Sequence, residues 1–259
     1  MIGIVGGVGP FAGVDLTRKI FSQTRAGRDQ DHLPVVLLSV PGVIADRTEY
    51  LMGRAAENPA YPVSRLIVNL ERSGATVVGI PCNTMHAPEI FGVIEQQLRR
   101  QGSRVVVLNM IGQVVAFIKK HHPHWQKIGV LSTTGTWKKQ VYAHALAAAG
   151  FQPVVPPEDM QQKVHAAVYD PHYGVKAQSS PVTDKARNEM LEAIAFLQEK
   201  GAEAVVLGCT EMPWALPYQA VDGIPLLDAN LILARALIGH SYPESLQPIG
   251  KSLYDYKRR

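Results

Sequence analysis

Short apolar runs alternate with amphipathic helical patterns along most of this 259-residue chain. The run Ile2–Val5 leads into a glycine turn followed by Pro10, and Leu33–Val40 resembles strands that are buried on both faces. Further strands are predicted at 76–80, 105–108, 128–131, 154–155 and 204–207, and helices at 61–72, 88–100, 111–120, 137–149, 161–169, 184–200 and 230–238. The stretch 171–181 is predicted to be a loop. This alternation predicts an α/β fold in which a mostly parallel sheet is flanked by helices.

The two halves of the chain repeat the same pattern. Residues 2–5 resemble 128–131, residues 74–82 resemble 201–209, and residues 107–109 resemble 226–228. Three matches in one order and at nearly constant spacing indicate a duplicated α/β unit. We therefore expect two pseudosymmetric domains, residues 1–103 plus 219–259 and residues 104–218, with a cleft between them.

The composition excludes several classes of protein. Hydrophobic residues make up 46% and charged residues 19%, which favours a sizeable core over disorder. Lys and Arg number 26 against 22 Asp and Glu, and a net charge of +4 is too small to predict nucleic-acid binding. The basic end Lys257-Arg258-Arg259 belongs to a tail, 241–259, that is expected either to extend as a disordered segment or to pack on the first domain.

The chain shows no pattern of a membrane or secreted protein. No apolar run reaches the roughly 20 residues of a membrane span, and the N-terminus lacks the pattern of a signal peptide. Two cysteines cannot form a disulfide scaffold, so we expect a cytoplasmic protein with no membrane partner.

The two cysteines occupy equivalent positions in the repeat, each just past the end of a predicted strand. In open α/β sheets, ligands bind at the carboxyl edge of the strands. If the units face each other, Cys82 and Cys209 approach one bound molecule from opposite sides. Such a geometry suits the removal of a proton from one face of a carbon and its return to the other face.

Polar residues accompany each thiol. Asn83 and Thr84 follow Cys82, and Thr210 and Glu211 follow Cys209. Backbone N–H groups at the start of a helix can stabilise a thiolate, whose ordinary pKa is about 8.5, and together with hydroxyl and amide groups they can hold a carboxylate. When an amino acid loses its α-proton, the carbanion-like transition state is stabilised if fixed donors neutralise the charge of its carboxylate.

Other interpretations of the cysteines are weaker. A lone cysteine after a buried strand is usually a small core residue, but a matched pair with polar neighbours favours catalysis. A zinc site needs about four ligands, and His86 with two cysteines is incomplete, so no metal is expected.

Two motifs resemble a known family. Pro81-Cys82-Asn83-Thr84-Met85-His86 and Gly208-Cys209-Thr210-Glu211 are similar to the signature motifs of the cofactor-independent aspartate/glutamate racemases. Segments 6–10, 29–34, 46–48 and 133–136 resemble further family motifs in the same order. The resemblance implies a homodimer with the active site between two domains, and no pyridoxal phosphate, metal or other cofactor. It also implies that one cysteine acts as general base and the other as general acid.

The resemblance further implies which residues bind the substrate. Arg47 and Lys176 are similar to family residues that hold a substrate carboxylate. The other expected substrate-binding residues are Gly7, Asn83, Thr84, Thr133, Thr134, Thr210 and Glu211. Ser39-Val40-Pro41 stands where aspartate racemases tend to carry Ser-Asn-Pro, and Met85 replaces a commoner small residue. These departures leave the proton transfer intact and affect the pocket for the substrate side chain.

The sequence therefore predicts a racemase that interconverts L- and D-aspartate or glutamate by two-cysteine proton transfer. A maleate isomerase or hydantoin racemase type of enzyme is an alternative, and so is a non-catalytic amino-acid sensor. A nucleotide-binding oxidoreductase is disfavoured, because the turn after the first strand lacks the G-x-G-x-x-G spacing and Pro10 removes a phosphate-binding N–H group.

Overall fold

The computed structural model describes residues 1–249 and contains two mainly parallel sheets flanked by helices. The first half contains β1 (Ile2–Gly6), α1 (Pro10–Ser22), β2 (Val35–Ser39), α2 (Arg47–Leu51), α3 (Ala60–Arg72), β3 (Val77–Gly79), α4 (Pro88–Arg100), β4 (Val106–Val107) and α5 (Met110–His121). The second half contains β5 (Lys127–Ser132), α6 (Thr134–Lys138), α7 (Val141–Ala148), β6 (Gln152–Val154), α8 (Glu158–Tyr169), α9 (Asp184–Glu199), β7 (Ala204–Gly208), α10 (Met212–Ala215), β8 (Ala220–Val221), β9 (Ile224–Asp228) and α11 (Ala229–Ser241). The α/β prediction is confirmed.

The two sheets have the same strand order. The first is β2-β1-β3-β4, and the second is β6-β5-β7-β9 with β8 added antiparallel at its edge. Strands β1 and β5 are equivalent, as are β3 and β7, and in both units the first strand pairs in parallel with the third. The repeat found in the sequence is therefore present in the topology.

Equivalent polar residues also begin the helix that follows the last strand of each unit. The side chain of Asn109 accepts a hydrogen bond from the backbone N–H of Gly112 at the start of α5. The side chain of Asp228 accepts hydrogen bonds from Asn230 and Leu231 at the start of α11. An acceptor at this position satisfies backbone donors that have no partner within the helix.

The expected domain boundaries need correction at two places. Strand β4 was placed in the second unit, but it pairs with β3 in the first sheet. Strands β8 and β9 were placed in the first unit, but β9 pairs with β7 in the second sheet. The ladder of backbone hydrogen bonds assigns each strand to its sheet, and short strands give a weak sequence signal.

One local expectation differs from the structure, and one of the two alternatives for the tail is confirmed for its described part. The single helix predicted at 137–149 is two helices, α6 and α7, because Gln140 between them has a left-handed backbone with φ 50°. The described part of the tail packs on the first unit, where the backbone N–H of Gln247 donates to the carbonyl of Gln23 at 2.9 Å. The basic end Lys257-Arg258-Arg259 lies outside the described residues.

A buried cluster of charges joins α1 to the start of α11. Lys19 donates to Asp15 and, at 2.5 Å, to Asp228, and Asn230 donates to Asp15 at 2.8 Å. Burial alone would lower the pKa of Lys19, but the charges of Asp228 and Asp15 raise it. The ion pairs therefore tie the last helix to the first unit through a charged lysine that is shielded from water.

None of the helices within residues 1–249 combines the length and the apolar character needed to cross a bilayer.

Replacing Lys19 by Met should strongly destabilise the fold, because two buried carboxylates lose their shared cation. We expect the free energy of unfolding, measured by urea denaturation at pH 7, to fall by about 3–5 kcal/mol. Arg18→Met is the control, since Arg18 also pairs with Asp15 but its side chain is 56% exposed. That variant should lose less than about 1 kcal/mol. Equal losses in both variants would contradict this interpretation.

Candidate active site

Both cysteines lie at the carboxyl ends of central strands. Cys82 stands three residues after the end of β3 and begins a single 3₁₀ turn, Asn83–His86. Cys209 directly follows β7, and the helix behind it, α10, has only four residues. The helix expected at each thiol is thus one short turn, and it contributes little of the field that a long helix would provide. Charged side chains supply the electrostatics at the thiols instead.

The loops that carry the thiols touch each other. The hydroxyl of Thr210, next to Cys209, lies 3.3 Å from the carbonyl oxygen of Pro81, which precedes Cys82. Cys82 is 7% exposed and Cys209 9%. The structure therefore brings both thiols to one buried junction between the two units.

A cation lies on the Cys82 side of the junction. Arg47, at the start of α2, is 8% exposed and donates to the carbonyl of Val8 at 3.1 Å. Burial alone would lower its pKa, but Cys82, Tyr169 and Asp46 raise it. Within residues 1–249, Arg47 forms no ion pair with a carboxylate, and its Nε has no hydrogen-bond partner. A buried guanidinium that has no carboxylate partner can bind the carboxylate of a ligand.

An anion lies on the Cys209 side. The Sγ of Cys209 donates to Oε2 of Glu211 at 3.0 Å, and Nζ of Lys176 donates to Oε1 at 2.9 Å. The hydroxyl of Thr210 is also 3.1 Å from Oε2. Burial alone would raise the pKa of Glu211, but Lys176, Cys209 and Arg47 lower it, so the carboxylate is ionised.

The neighbouring carboxylate keeps Cys209 protonated. Burial and the charge of Glu211 raise the pKa of Cys209 well above its ordinary value, although Lys176 opposes them. Cys82 faces a cation while Cys209 faces an anion. The junction is therefore electrostatically asymmetric, and Cys209 holds the proton that an acid requires.

Three buried donors, two at the start of α2 and one next to Cys82, have no hydrogen-bond partner in the part of the chain that the structure describes. They are Nε of Arg47, Oγ1 of Thr48 and Nδ2 of Asn83, and Nδ1 of His86 in the 3₁₀ turn after Cys82 also has none. All three donors can bind an anion, and a buried donor left without a hydrogen bond costs about 1–3 kcal/mol.

The remaining predicted residues have different surroundings. The Thr84 hydroxyl lies 3.0 Å from that of Thr136 in the other unit. Thr133 is buried at the start of α6, and the backbone N–H of the half-buried Thr134 donates to Nδ1 of His165 at 3.3 Å. Gly7 has a φ of 84°, and a Cβ there would stand 2.8 Å from the backbone nitrogen of Pro41. The positive φ and the close backbone of Pro41 explain why this position in the turn is a glycine.

Sequence reasoning missed four residues near the junction, namely Thr48, Thr136, Tyr142 and Tyr169. The two threonines stand inside segments that carry the family resemblance, so the motifs could have identified them. The Tyr169 hydroxyl donates to Asp46 at 3.3 Å and its ring lies 5.0 Å from Nζ of Lys176. Both tyrosines lie on helices that carry no local motif.

Comparisons with known proteins identify the family that this chain resembles. A model of the Asp/Glu/hydantoin racemase family matches residues 5–237. The chain is 25% identical over 250 residues to the broad specificity amino-acid racemase RacX of Bacillus subtilis (strain 168), covering 92% of this chain and 96% of that protein.

Solved structures of similar fold include two racemases. The aspartate racemase of Picrophilus torridus is 31% identical with a TM-score of 0.76, over 92% of this chain and 93% of that one. The glutamate racemase of Francisella tularensis subsp. tularensis SCHU S4, in complex with D-glutamate, is 15% identical with a TM-score of 0.65, over 96% of this chain and 83% of that one. At this low identity the second likeness shows only the fold.

Replacing Glu211 by Gln should lower the pKa of the Cys209 thiol, because the negative charge beside it is removed and Lys176 no longer has a carboxylate partner. In a Cys82→Ser background, the pH titration of thiolate absorbance at 240 nm should move down by at least about one pH unit. Glu192→Gln, which removes an exposed carboxylate paired with Lys163, is the control and should not move it. An unchanged titration in Glu211→Gln would contradict the assignment.

Proposed function

The chain belongs to the Asp/Glu/hydantoin racemase family, and from that premise we propose that it interconverts the L- and D-forms of an acidic amino acid, aspartate or glutamate. The proposed reaction is proton transfer between Cys82 and Cys209. The observation that carries the proposal is the junction of two repeat-related thiols, one beside a cation that has no carboxylate partner among residues 1–249 and the other beside a carboxylate.

In the proposed mechanism the substrate carboxylate binds the donors near Cys82. Arg47 supplies the charge, and the amide of Asn83 and the hydroxyl of Thr48 supply hydrogen bonds. When the α-carbon loses its proton, negative charge develops on this carboxylate. Fixed donors in a site shielded from water stabilise that charge strongly.

The two thiols then act on opposite faces of the α-carbon. The thiolate of Cys82 takes the α-proton, so that an S–H bond forms as the C–H bond breaks. The thiol of Cys209 gives its proton to the other face and becomes the thiolate. The opposite enantiomer runs the same steps in reverse. Before a second turnover of the same enantiomer, Cys82 releases its proton to solvent and Cys209 takes one up, which restores the starting state of both cysteines.

Glu211 and Lys176 have complementary functions in this scheme. The carboxylate keeps Cys209 protonated and therefore available as the acid. When Cys209 becomes a thiolate, it stands beside a carboxylate, and the ammonium of Lys176 offsets the repulsion. The ionised pair thus lets one thiol serve in both protonation states.

The substrate side chain is proposed to extend toward Lys176 and Tyr169. The likeness to an aspartate racemase at 31% identity supports a dicarboxylate. A wider range of amino acids has a specific observation in its favour, because Lys176 is already paired with Glu211 and a relative has broad specificity. A panel of amino acids distinguishes the two possibilities.

We also propose a homodimer, and an exposed apolar face on α1 supports it. Phe11 is 57% exposed and Val14 58%, one turn apart on the helix. Large exposed apolar side chains on one face are typical of protein interfaces. The cytoplasmic location stays a prediction from the cysteine content.

The wild-type protein should exchange the α-proton of aspartate or glutamate for deuterium in D2O and yield both enantiomers. We expect Cys82→Ser and Cys209→Ser each to lose at least about a hundredfold in racemisation rate, because each thiol serves one face. Proton NMR of the α-position and chiral chromatography measure exchange and inversion separately. Circular dichroism checks that the variants are folded.

Mixing the two variants gives a further control. Both thiols of one site belong to one chain, so an equimolar mixture should stay inactive. Full activity in either single variant would contradict the two-base mechanism. No exchange with any amino acid would favour a sensor, and loss of maleate absorbance would favour the isomerase alternative.

A further inference from the structure

A buried tyrosine from the second unit contacts both thiol loops. Tyr142, near the start of α7, is 2% exposed, and its hydroxyl donates to Oδ1 of Asn83 at 2.6 Å. Asn83 directly follows Cys82. On the other side, Cε2 of Tyr142 lies 3.1 Å from the position that a Cβ on Gly208 would occupy, and Gly208 directly precedes Cys209. One side chain thus stands against the residues next to both thiols.

The hydrogen bond determines which way the Asn83 amide faces. Burial raises the pKa of Tyr142 above its usual range, and the charges of Asp228 and Cys209 add to the shift, so the hydroxyl keeps its proton. It donates that proton to Oδ1, which leaves Nδ2 on the opposite side. Nδ2 is buried and has no partner within residues 1–249. The amide therefore presents a donor where the proposed mechanism needs one.

The contact with Gly208 fixes the other end of the tyrosine. The ring packs directly on the backbone of Gly208, since no side chain stands between them. A Cβ at Gly208 would also lie 2.7 Å from the carbonyl oxygen of Leu131. The tyrosine ring therefore lies between α7 and the end of β7, against the residue that precedes Cys209.

The surroundings explain why the hydroxyl is needed as an anchor. A pocket of about 300 Å³ adjoins Tyr142 and is lined also by Val130, Thr136 and Trp137. A ring without its hydrogen bond to Asn83 has room to shift into this pocket. The bond therefore holds both the ring and the amide in one arrangement.

We propose that Tyr142 is a positioning residue for racemisation. It orients the amide of Asn83 so that Nδ2 binds the substrate carboxylate, and its ring sets the spacing between the two thiol loops. This inference rests on the proposed function.

The test uses Tyr142→Phe, which removes one oxygen and keeps the ring. We expect the KM of the amino acid to rise and kcat to fall, so that kcat/KM drops at least about tenfold, because the lost donor binds the substrate carboxylate and stabilises the charge that develops on it. A merely structural loss would lower the melting temperature and the active fraction without moving KM. Tyr50→Phe is the matched control, since Tyr50 bonds Asn58 at 2.9 Å within the first unit, and its KM should not change.

A double-mutant cycle separates this function from a general effect. Asn83→Ala should raise KM at least as much, and adding Tyr142→Phe to it should change KM no further, because the tyrosine acts through the amide. Tyr142→Leu, which also removes the ring contact with Gly208, should lower kcat further. Additive effects in the double variant, or an unchanged KM in Tyr142→Phe, would overturn the inference.

The outcomes also distinguish this inference from the proposed function. If the wild-type protein exchanges the α-proton of no amino acid, the proposed function fails and the inference fails with it. If the wild type racemises and Tyr142→Phe keeps its KM, only the inference about Tyr142 fails.

Discussion

The buried carboxylate of Glu211 is the interaction on which the junction between the units depends. It accepts hydrogen bonds from Cys209 and Lys176, and Gly9 of the first unit packs against it. A Cβ on Gly9 would stand 2.7 Å from Oε1, so the glycine turn after β1 must lack a side chain. A buried charge is stable only when nearby groups compensate it. Lys176, the thiol of Cys209 and the glycine turn of the first unit therefore all lie against the Glu211 carboxylate.

The backbone of the two units is repeated, but the charged residues beside the two cysteines are not. Because β3 and β7 hold equivalent places in their two sheets, each sheet carries one thiol at the carboxyl end of an equivalent strand. The residues around them have diverged, since Cys82 lies beside Arg47 whereas Cys209 lies beside Glu211. A reaction that takes a proton from one face of a carbon and adds one to the other needs a base on one face and an acid on the other. The symmetric scaffold brings the two thiol loops together, and the asymmetric charges place a cation beside Cys82 and an anion beside Cys209.

The sequence predicted seven of the nine strands in the described residues, most helices and the repeat, because buried strands and amphipathic helices leave local periodicities. It placed β4 and β9 in the wrong units because pairing partners are set by contacts between distant segments. It named Cys82, Asn83, Cys209 and Glu211, which stand in contiguous motifs, but missed Tyr142. The hydrogen bond from Tyr142 to Asn83 joins residues 59 positions apart, and the helix around Tyr142 carries no sequence motif that would predict this contact.

The two units contact each other through an apolar core on one side of the junction and through polar hydrogen bonds on the side of the thiols. Behind it, α5 packs on α7 and α11 within one continuous apolar core. At the thiol edge, the bonds between the units are polar, from Tyr142 to Asn83, Tyr169 to Asp46, and between Thr84 and Thr136. Each such bond contributes about 0.5–1.5 kcal/mol net, since water replaces it when it opens. Both thiols are nearly inaccessible, so the proposed function requires this edge to open for the amino acid. Opening it would break a few weak bonds, whereas opening the back would expose the core, and we therefore expect the substrate to enter at the thiol edge.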